Sequence, residues 1–370
     1  MAPYISHVLN DSVIDGVPGS PPYKHAYFPI YETLSKSHWE LWLFDAVDPS
    51  TNAAVTMTFF RDGSLLGLGK SPLRTTFHVA LPDGNTIHGE HLAKESIIEA
   101  NSERVMGRWE SLVDGQGSAQ FEVSLDLSQA TVTFDLPILR GMLKLQSSDV
   151  LSHRDSFDPA DKDHVLSPRV HYLHAIPRAV GEIDFTFPLE DKSLRFSGLA
   201  GSEHCWMEDT TPALMEGCTY VRGHAGPYTV CLFRIFSRVE PGKTYVKTTL
   251  VEDGKEVFSS TTADSVSLTD DYVSFRNTVG GQVRGGFADN ASGYRIDIVS
   301  PSAHRHWSFE LKHQLVWWSM PTGPKTGNNG FVDLLSGGEV GGPVYSGRAA
   351  VGHVELSHQK TEYKGFNSQD

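Results

Sequence analysis

Cysteine is scarce in this sequence. Its 370 residues hold three, Cys205, Cys218 and Cys231, so any single disulfide leaves one thiol over, and no Cys-x-x-Cys pair offers a structural zinc site. They read as small apolar residues. Long apolar runs are missing as well: nothing approaches the roughly 18 consecutive apolar residues of a membrane-spanning helix. Positive charge is short and scattered, 31 Lys plus Arg against 45 Asp plus Glu for a formal charge of −14. Such a field repels phosphate backbones and anionic headgroups, which excludes nucleic acid and acidic membranes as first-choice partners. The first ten residues lack the basic head and apolar run of a secretory signal, so a cytoplasmic location is expected. The sequons Asn10-Asp11-Ser12 and Asn290-Ala291-Ser292 would matter only in a secreted protein. There is no Gly-x-Ser-x-Gly elbow, no phosphate-binding glycine loop ahead of a helix and no His-Glu-x-x-His. His304-Arg305-His306 could face a metal from one strand, but with 17 histidines such pairs arise by chance, and no metal is expected. No repeat of fixed period is visible, which argues against a propeller or solenoid.

What is present is strand and turn. The 39% apolar and 21% charged content is that of an ordinary folded domain protein, and the length favours two or three domains, of which two is the expectation adopted. Short alternating runs end in Gly, Pro, Asn or Asp, as in Ala54 to Phe60 followed by Arg61-Asp62-Gly63. The same pattern recurs at 121–125, 130–136, 228–238, 244–251 and 294–299. Only His91 to Ala100 and Thr211 to Glu216 carry a weak helical period. With 34 glycines and 20 prolines to make turns, the fold class is all-β, a sandwich plus a barrel. Ser147 to Pro168 reads as an exposed loop of the first domain, and Gln359 to Asp370 as a loose tail. The turn Glu240-Pro241-Gly242-Lys243 precedes a fresh series of strands and sets the expected domains at 1–240 and 241–370.

Several segments could carry chemistry. In Trp39-Glu40-Leu41-Trp42-Leu43-Phe44-Asp45, strand alternation puts Glu40, Trp42 and Phe44 on one face and Trp39, Leu41, Leu43 and Asp45 on the other. Each face mixes apolar surface with one carboxylate. A carboxylate among aromatics loses hydration and can be tuned as an acid or base; a salt bridge from Glu40 to Arg61 is the structural alternative. Tyr172 and His174 share a face, and Glu203 beside His204, after Gly198 and Gly201, is an acid/base or hydrogen-bonding element or else a core histidine satisfied by backbone. Tyr220, Arg222 and His224 alternate on one side of a strand and line either a cavity or solvent. Trp317 and Trp318, ahead of a Gly- and Asn-rich loop, suit a cavity rim. An apolar small molecule is the expected partner.

The succession Trp39-Glu40-x-Trp42-x-Phe44-Asp45-Ala46, His174-x-x-Pro177-Arg178, Gly198-x-x-Gly201-Ser202-Glu203-His204-x-Trp206 and Arg222-Gly223-x-Ala225-Gly226-Pro227-Tyr228 resembles the fungal lipocalin-like Diels-Alderases and the related hydroxyneurosporene synthase-like proteins. Gly337 to Gly342 resembles their C-terminal barrel, and the likeness spans most of the chain. It implies an N-terminal β-sandwich followed by a C-terminal lipocalin-like β-barrel, a substrate pocket between them and no cofactor. Relatives commonly carry Gly-Tyr-His-x-x-Asn-Trp-Gly where this chain has Gly201-Ser202-Glu203-His204-Cys205-Trp206-Met207. That departure points away from a decalin-forming substrate and toward the hetero-Diels-Alderases that join tropolone units to humulene-type sesquiterpenes. On this reading Tyr172, His174, Arg222 and His224 donate hydrogen bonds to a carbonyl, while Glu40, Glu203 and His204 serve a preceding dehydration. Trp39, Trp42, Phe44, Phe59, Trp206, Tyr220, Tyr228, Trp317 and Trp318 would hold the substrate. An isoprenoid hydratase or isomerase and a non-catalytic lipophile carrier are the alternatives. The resemblance further requires Trp39 and Trp42 to converge with Trp317 and Trp318.

Overall fold

The computed structural model describes residues 4–9, 12–15, 25–31, 37–64, 71–147, 161–263 and 268–356. Among them the first sheet takes β1 (Tyr4–Leu9), β2 (Ser12–Asp15), β3 (Trp39–Val47), β4 (Ala54–Asp62), β5 (Leu73–Ala80), β6 (Thr86–Ala100), β7 (Arg104–Ser111), β8 (Ser118–Ser124), β9 (Gln129–Leu136), β10 (Leu139–Ser147), β11 (Val165–Ser167), β12 (Val170–Phe187) and β13 (Lys192–Met207). One helical turn, α1 (Thr211–Leu214), leads into the second sheet. That sheet comprises β14 (Met215–Ala225), β15 (Tyr228–Ser237), β16 (Thr244–Glu252), β17 (Lys255–Ser260), β18 (Tyr272–Thr278), β19 (Gly293–Ser300), β20 (Arg305–Pro321), β21 (Gly327–Glu339) and β22 (Tyr345–Glu355). No described helix is long and apolar enough to cross a membrane.

Every pairing between named strands is antiparallel, which short turns permit and which lets one face bury apolar side chains. The first sheet runs β2-β1-β6-β5-β4-β3-β13-β12-β10-β9-β8-β7, and a further β6–β7 pairing brings its last strand back onto β6. Its interior is an aromatic core of Trp42, Phe44, Phe59, Trp109, Phe121 and Phe134 with Trp206. The second sheet runs β17-β16-β15-β14-β22-β21-β20-β19-β18 around Trp307, Phe309, Phe331 and Tyr294. Its edge strands are drawn together by a bridge from Ala263 to Val273. The all-β expectation of two β units holds.

Local expectations fare unevenly. His91 to Ala100 is not helical: it is the end of β6, where a bulge between Ala93 and Glu95 disguises the alternation that then buries Ser96, Ile98 and Ala100. Thr211 starts the helical turn α1, with Pro212 second in it where its missing N–H costs no bond, but Glu216 already belongs to β14. The last part of the expected loop at 147–168 forms β11, with Leu166 and Ser167 buried; residues 148–160, Asn10 and Asp11 of the first sequon and the tail beyond 356 lie outside the described residues. The turn at 240–243 is the hairpin between β15 and β16, so the chain changes sheet earlier, across 208–214.

Some strands bury both faces, and these locate the contact between the sheets. In β3, β4 and the second half of β13 nearly every residue is buried, as in the second half of β14 and most of β15, where one face fills a sheet interior and the other meets the opposite sheet. Trp39, Tyr172, Cys205 and Met207 of the first sheet pack there with Met215, Phe233 and Ile235 of the second.

Candidate active site

At this junction an apolar cluster surrounds a buried charge network centred on Arg222. Its Nε donates to Asp45 at 3.0 Å, its Nη1 to the carbonyl oxygens of Ile176 at 2.7 Å and Pro177 at 3.0 Å, and its Nη2 to Glu203. The Tyr220 hydroxyl donates to the same Asp45. Both carboxylates come from the first sheet and the guanidinium from the second, and all three side chains are 2% exposed or less. Gly201 makes the crossing possible, because a Cβ there would overlap the guanidinium and approach the Ile176 carbonyl oxygen to 2.5 Å.

Glu203 has a second partner, His174, whose Nδ1 lies 2.9 Å from its Oε2. The two residues meet where the register between β12 and β13 slips by one residue, between Leu173 opposite His204 and Ile176 opposite Ser202. Burial opposes the charge on Glu203, but His174 and then Arg222 hold its carboxyl below the usual range. Asp45 goes the other way: burial pushes it up against the opposing pull of Arg222 and Tyr220. The two carboxylates that share Arg222 are thus shifted in opposite directions. Tyr172 lies edge-on to His174, ring centroids 4.9 Å apart, and stacks on Phe233 at 4.4 Å. Burial, and then the charge of Glu203, raise its phenol well above the ordinary value. His174 Nε2 is buried and makes no hydrogen bond, so the His174–Glu203 pair presents one ring nitrogen for a proton.

The structure brings together Tyr172, His174, Glu203, Tyr220, Arg222 and, farther along β14, His224. Burial first, then Arg222 and Arg178, push His224 down to about 3, and its Nδ1 lies 2.9 Å from Thr229 Oγ1. Arg222 is no free donor, since Asp45, Glu203 and two carbonyls occupy its guanidinium.

Glu40 and His204 lie elsewhere. They face the first-sheet interior, where Glu40 pairs with Arg61 and accepts from Ile30 N at 2.9 Å. The salt-bridge alternative for Glu40 is the one observed. His204 stacks on Trp42 with ring centroids 5.0 Å apart, tilts against Trp206 at 4.8 Å and comes within 3.8 Å of Glu40. Trp42, Phe44 and Phe59 are interior core, and Trp206 stacks on His171 at 5.2 Å. Tyr228 is core of the second sheet beside Phe309 and Tyr345.

The expected convergence of tryptophans does not occur. Trp39 is in the junction cluster and Trp42 in the first core, while Trp317 packs on Val47, Ala54 and Ala80, and Trp318 on His78 with centroids 4.7 Å apart. Alternation on β3 turns Trp42 inward whenever Trp39 faces the junction. Tyr220 touches both junction clusters and links them. Asp45 and Gly201 were not singled out as site residues from the sequence, although Asp45 shares the Trp39 face; only the tertiary partner Arg222 distinguishes it from Glu40. His304 and His306 do not join a metal-ligand set: His306 pairs with Asp297 at 3.2 Å, and among the described residues no group of three such side chains could hold a metal ion.

Comparison with known proteins bears on this geometry. A solved structure of CghA with Sch210972 superposes with a TM-score of 0.83 at 28% identity, covering 96% of this chain and 99% of that one. Diels-Alderase mpsD of Macrophomina phaseolina is 40% identical over 351 residues, 90% of this chain and 86% of that protein. Hexane cyclase gkaB of Penicillium citrinum is 31% identical over 333 residues, 86% of this chain and 74% of that protein. A family model described as Diels-Alderase-like matches residues 2–357, and the chain belongs to that family.

Proposed function

We propose that this protein is a cofactor-independent pericyclase that closes a ring of Diels-Alder type on an apolar substrate held at the junction of its two sheets. The observation that carries the reading is the apolar cluster at the junction, Trp39, Tyr172 and Met207 against Met215 and Phe233, in a chain of the Diels-Alderase-like family. A cycloaddition needs little covalent help. Holding diene and alkene in a reactive fold can lower the barrier by about 7–11 kcal/mol in the best cases. Donors aimed at a carbonyl oxygen add to this as charge develops, and Tyr172 and His174, edge-on to each other in the junction, would be those donors.

The finer reading is an intermolecular hetero-Diels-Alder reaction between a tropolone-derived quinone methide and a humulene-type sesquiterpene. An acid/base pair is superfluous for a bare cycloaddition but required to make a quinone methide. His174 Nε2 would take the proton of the tropolone hydroxyl and return it to the departing side-chain hydroxyl, so that one water leaves and no net proton is exchanged. The resulting C=C–C=O unit then adds across one alkene of the macrocycle, forming one C–C and one C–O bond.

The test is incubation of the full chain with a hydroxymethyl tropolone and a hydroxylated humulene. An adduct one water lighter than the sum of the two, in a stereoisomer ratio unlike that in buffer, is expected. An unchanged ratio overturns the finer reading. Cyclisation of a linear polyene carrying both diene and alkene would then uphold the pericyclase reading alone.

A further inference from the structure

The second sheet holds a buried polar set on its interior face, where Asp333 is two strands from Gly223 in register and its neighbour Val332 faces the junction. His313 on β20 and Asp333 on β21 are register partners, Nδ1 and Oδ1 are 2.7 Å apart, and neither side chain is exposed. The imidazole stacks flat on Phe331, centroids 3.7 Å apart at 5°, and Tyr294 meets its edge at 5.3 Å. Three atoms of this set are buried without a hydrogen-bond partner: His313 Nε2, Asp333 Oδ2 and the Tyr294 hydroxyl. An unmade hydrogen bond on a buried polar atom costs about 1–3 kcal/mol, so three in one place is an arrangement that folding alone does not favour.

The chain above them forms a strap. Residues 279–292 connect β18 to β19, with Gly280 at φ +100° and Phe287 at φ +63°. The strap hangs on Asn329, an inward residue two positions before Phe331: its Oδ1 accepts from Gly286 N at 3.0 Å and from Ser319 Oγ at 2.8 Å. Ala291 of the strap is part of the sheet's core, and Asp289 is close enough to Tyr294 to act on its phenol.

We propose that this end of the second sheet is a separate ligand site beneath the 279–292 strap, taking the neutral head of a small molecule in which a carbonyl adjoins an N–H or O–H. The head chemistry follows from charge. A buried Asp–His pair is best accommodated net neutral, with one proton between Oδ1 and Nδ1. Nε2 then carries a proton and donates, while Oδ2 accepts. A carbonyl beside an N–H answers both, and the Tyr294 hydroxyl can do either. A carboxylate would set an anion against Asp333.

Benzamide, benzoate and toluene serve as probes, followed by ligand-observed NMR on the full chain. Benzamide is expected to bind at least tenfold more tightly than the other two. Tyr294→Phe and Asp333→Asn should each weaken it at least fivefold while circular dichroism and melting stay cooperative. Glu203→Gln, at the junction, should leave it unchanged, which separates this site from the proposed active site. If Asp333→Asn does not fold, Tyr294→Phe alone decides. No benzamide binding, equal binding of all three probes, or binding abolished by Glu203→Gln and not by Tyr294→Phe would overturn the proposal.

Discussion

His174 and Glu203 meet across β12 and β13 with Nδ1 and Oε2 2.9 Å apart, and neither side chain is more than 5% exposed. Because Arg222 and His174 hold Glu203 below the usual carboxylate range, the pair keeps its charge to lower pH than an isolated buried glutamate would. Loss of the Glu203 charge should therefore cut activity only below that range. Glu203→Gln removes the ionised partner and should lower kcat by about 10²–10⁴-fold, the span of general acid–base contributions, with a smaller effect on KM. A pH–rate profile of both proteins checks this.

Arg222 holds two buried carboxylates. In Arg222→Met both lose their cation, and removing one partner of a buried pair costs about 3–5 kcal/mol. Denaturant unfolding at neutral pH should show a loss of that size. Since the folded pKa of Glu203 is lowered, its charge stabilises the wild type above the ordinary carboxylate value and that contribution disappears as pH falls through the lowered one. The difference between wild type and variant should shrink accordingly in acid.

Gly201→Ala tests the crossing. Its methyl would sit on the guanidinium of Arg222 and on the Ile176 carbonyl, and backbone on one side cannot yield as a side chain can. A drop in Tm and a loss of activity together are expected, whereas alanine at exposed Gly115, strained at φ +76° but with nothing within 4 Å of its Cβ, should lower Tm and leave the activity of the folded protein intact.

Glu40 and Arg61 pair inside the first sheet, both side chains fully buried. Glu40→Ala should cost about 3–5 kcal/mol in unfolding experiments by stranding the arginine. In the protein that remains folded, kcat should change far less than in Glu203→Gln.

Burial depresses several histidines: His25 and His78 to about 4, His224 to about 3. Each is neutral in the folded protein near pH 5, while its unfolded form gains a proton below about 6.5. Stability should be complete above pH 6.5 and decline on acidification from there toward pH 4, by up to about 1.4 kcal/mol per pH unit for each histidine. A Tm series from pH 7.5 to 4.5 measures the slope, and a flat series would contradict it.

The sequence by itself determined the strands and the direction of most side chains, because a pleat of period two assigns Trp39 and Asp45 to one face of β3 and Glu40 and Trp42 to the other without any neighbour. It likewise put Tyr220, Arg222 and His224 on one side of β14. It could not say which face meets which sheet. That choice belongs to the tertiary structure: β3 and the second half of β13 are buried on both faces, so burial patterns there carry no sign of inside or out, and Glu40 and Asp45 look alike until Arg61 is found against one and Arg222 against the other. The bulge that hid the alternation of β6, the change of sheet across 208–214 and the parting of Trp42 from Trp317 were decided the same way, by contacts between residues far apart in the chain.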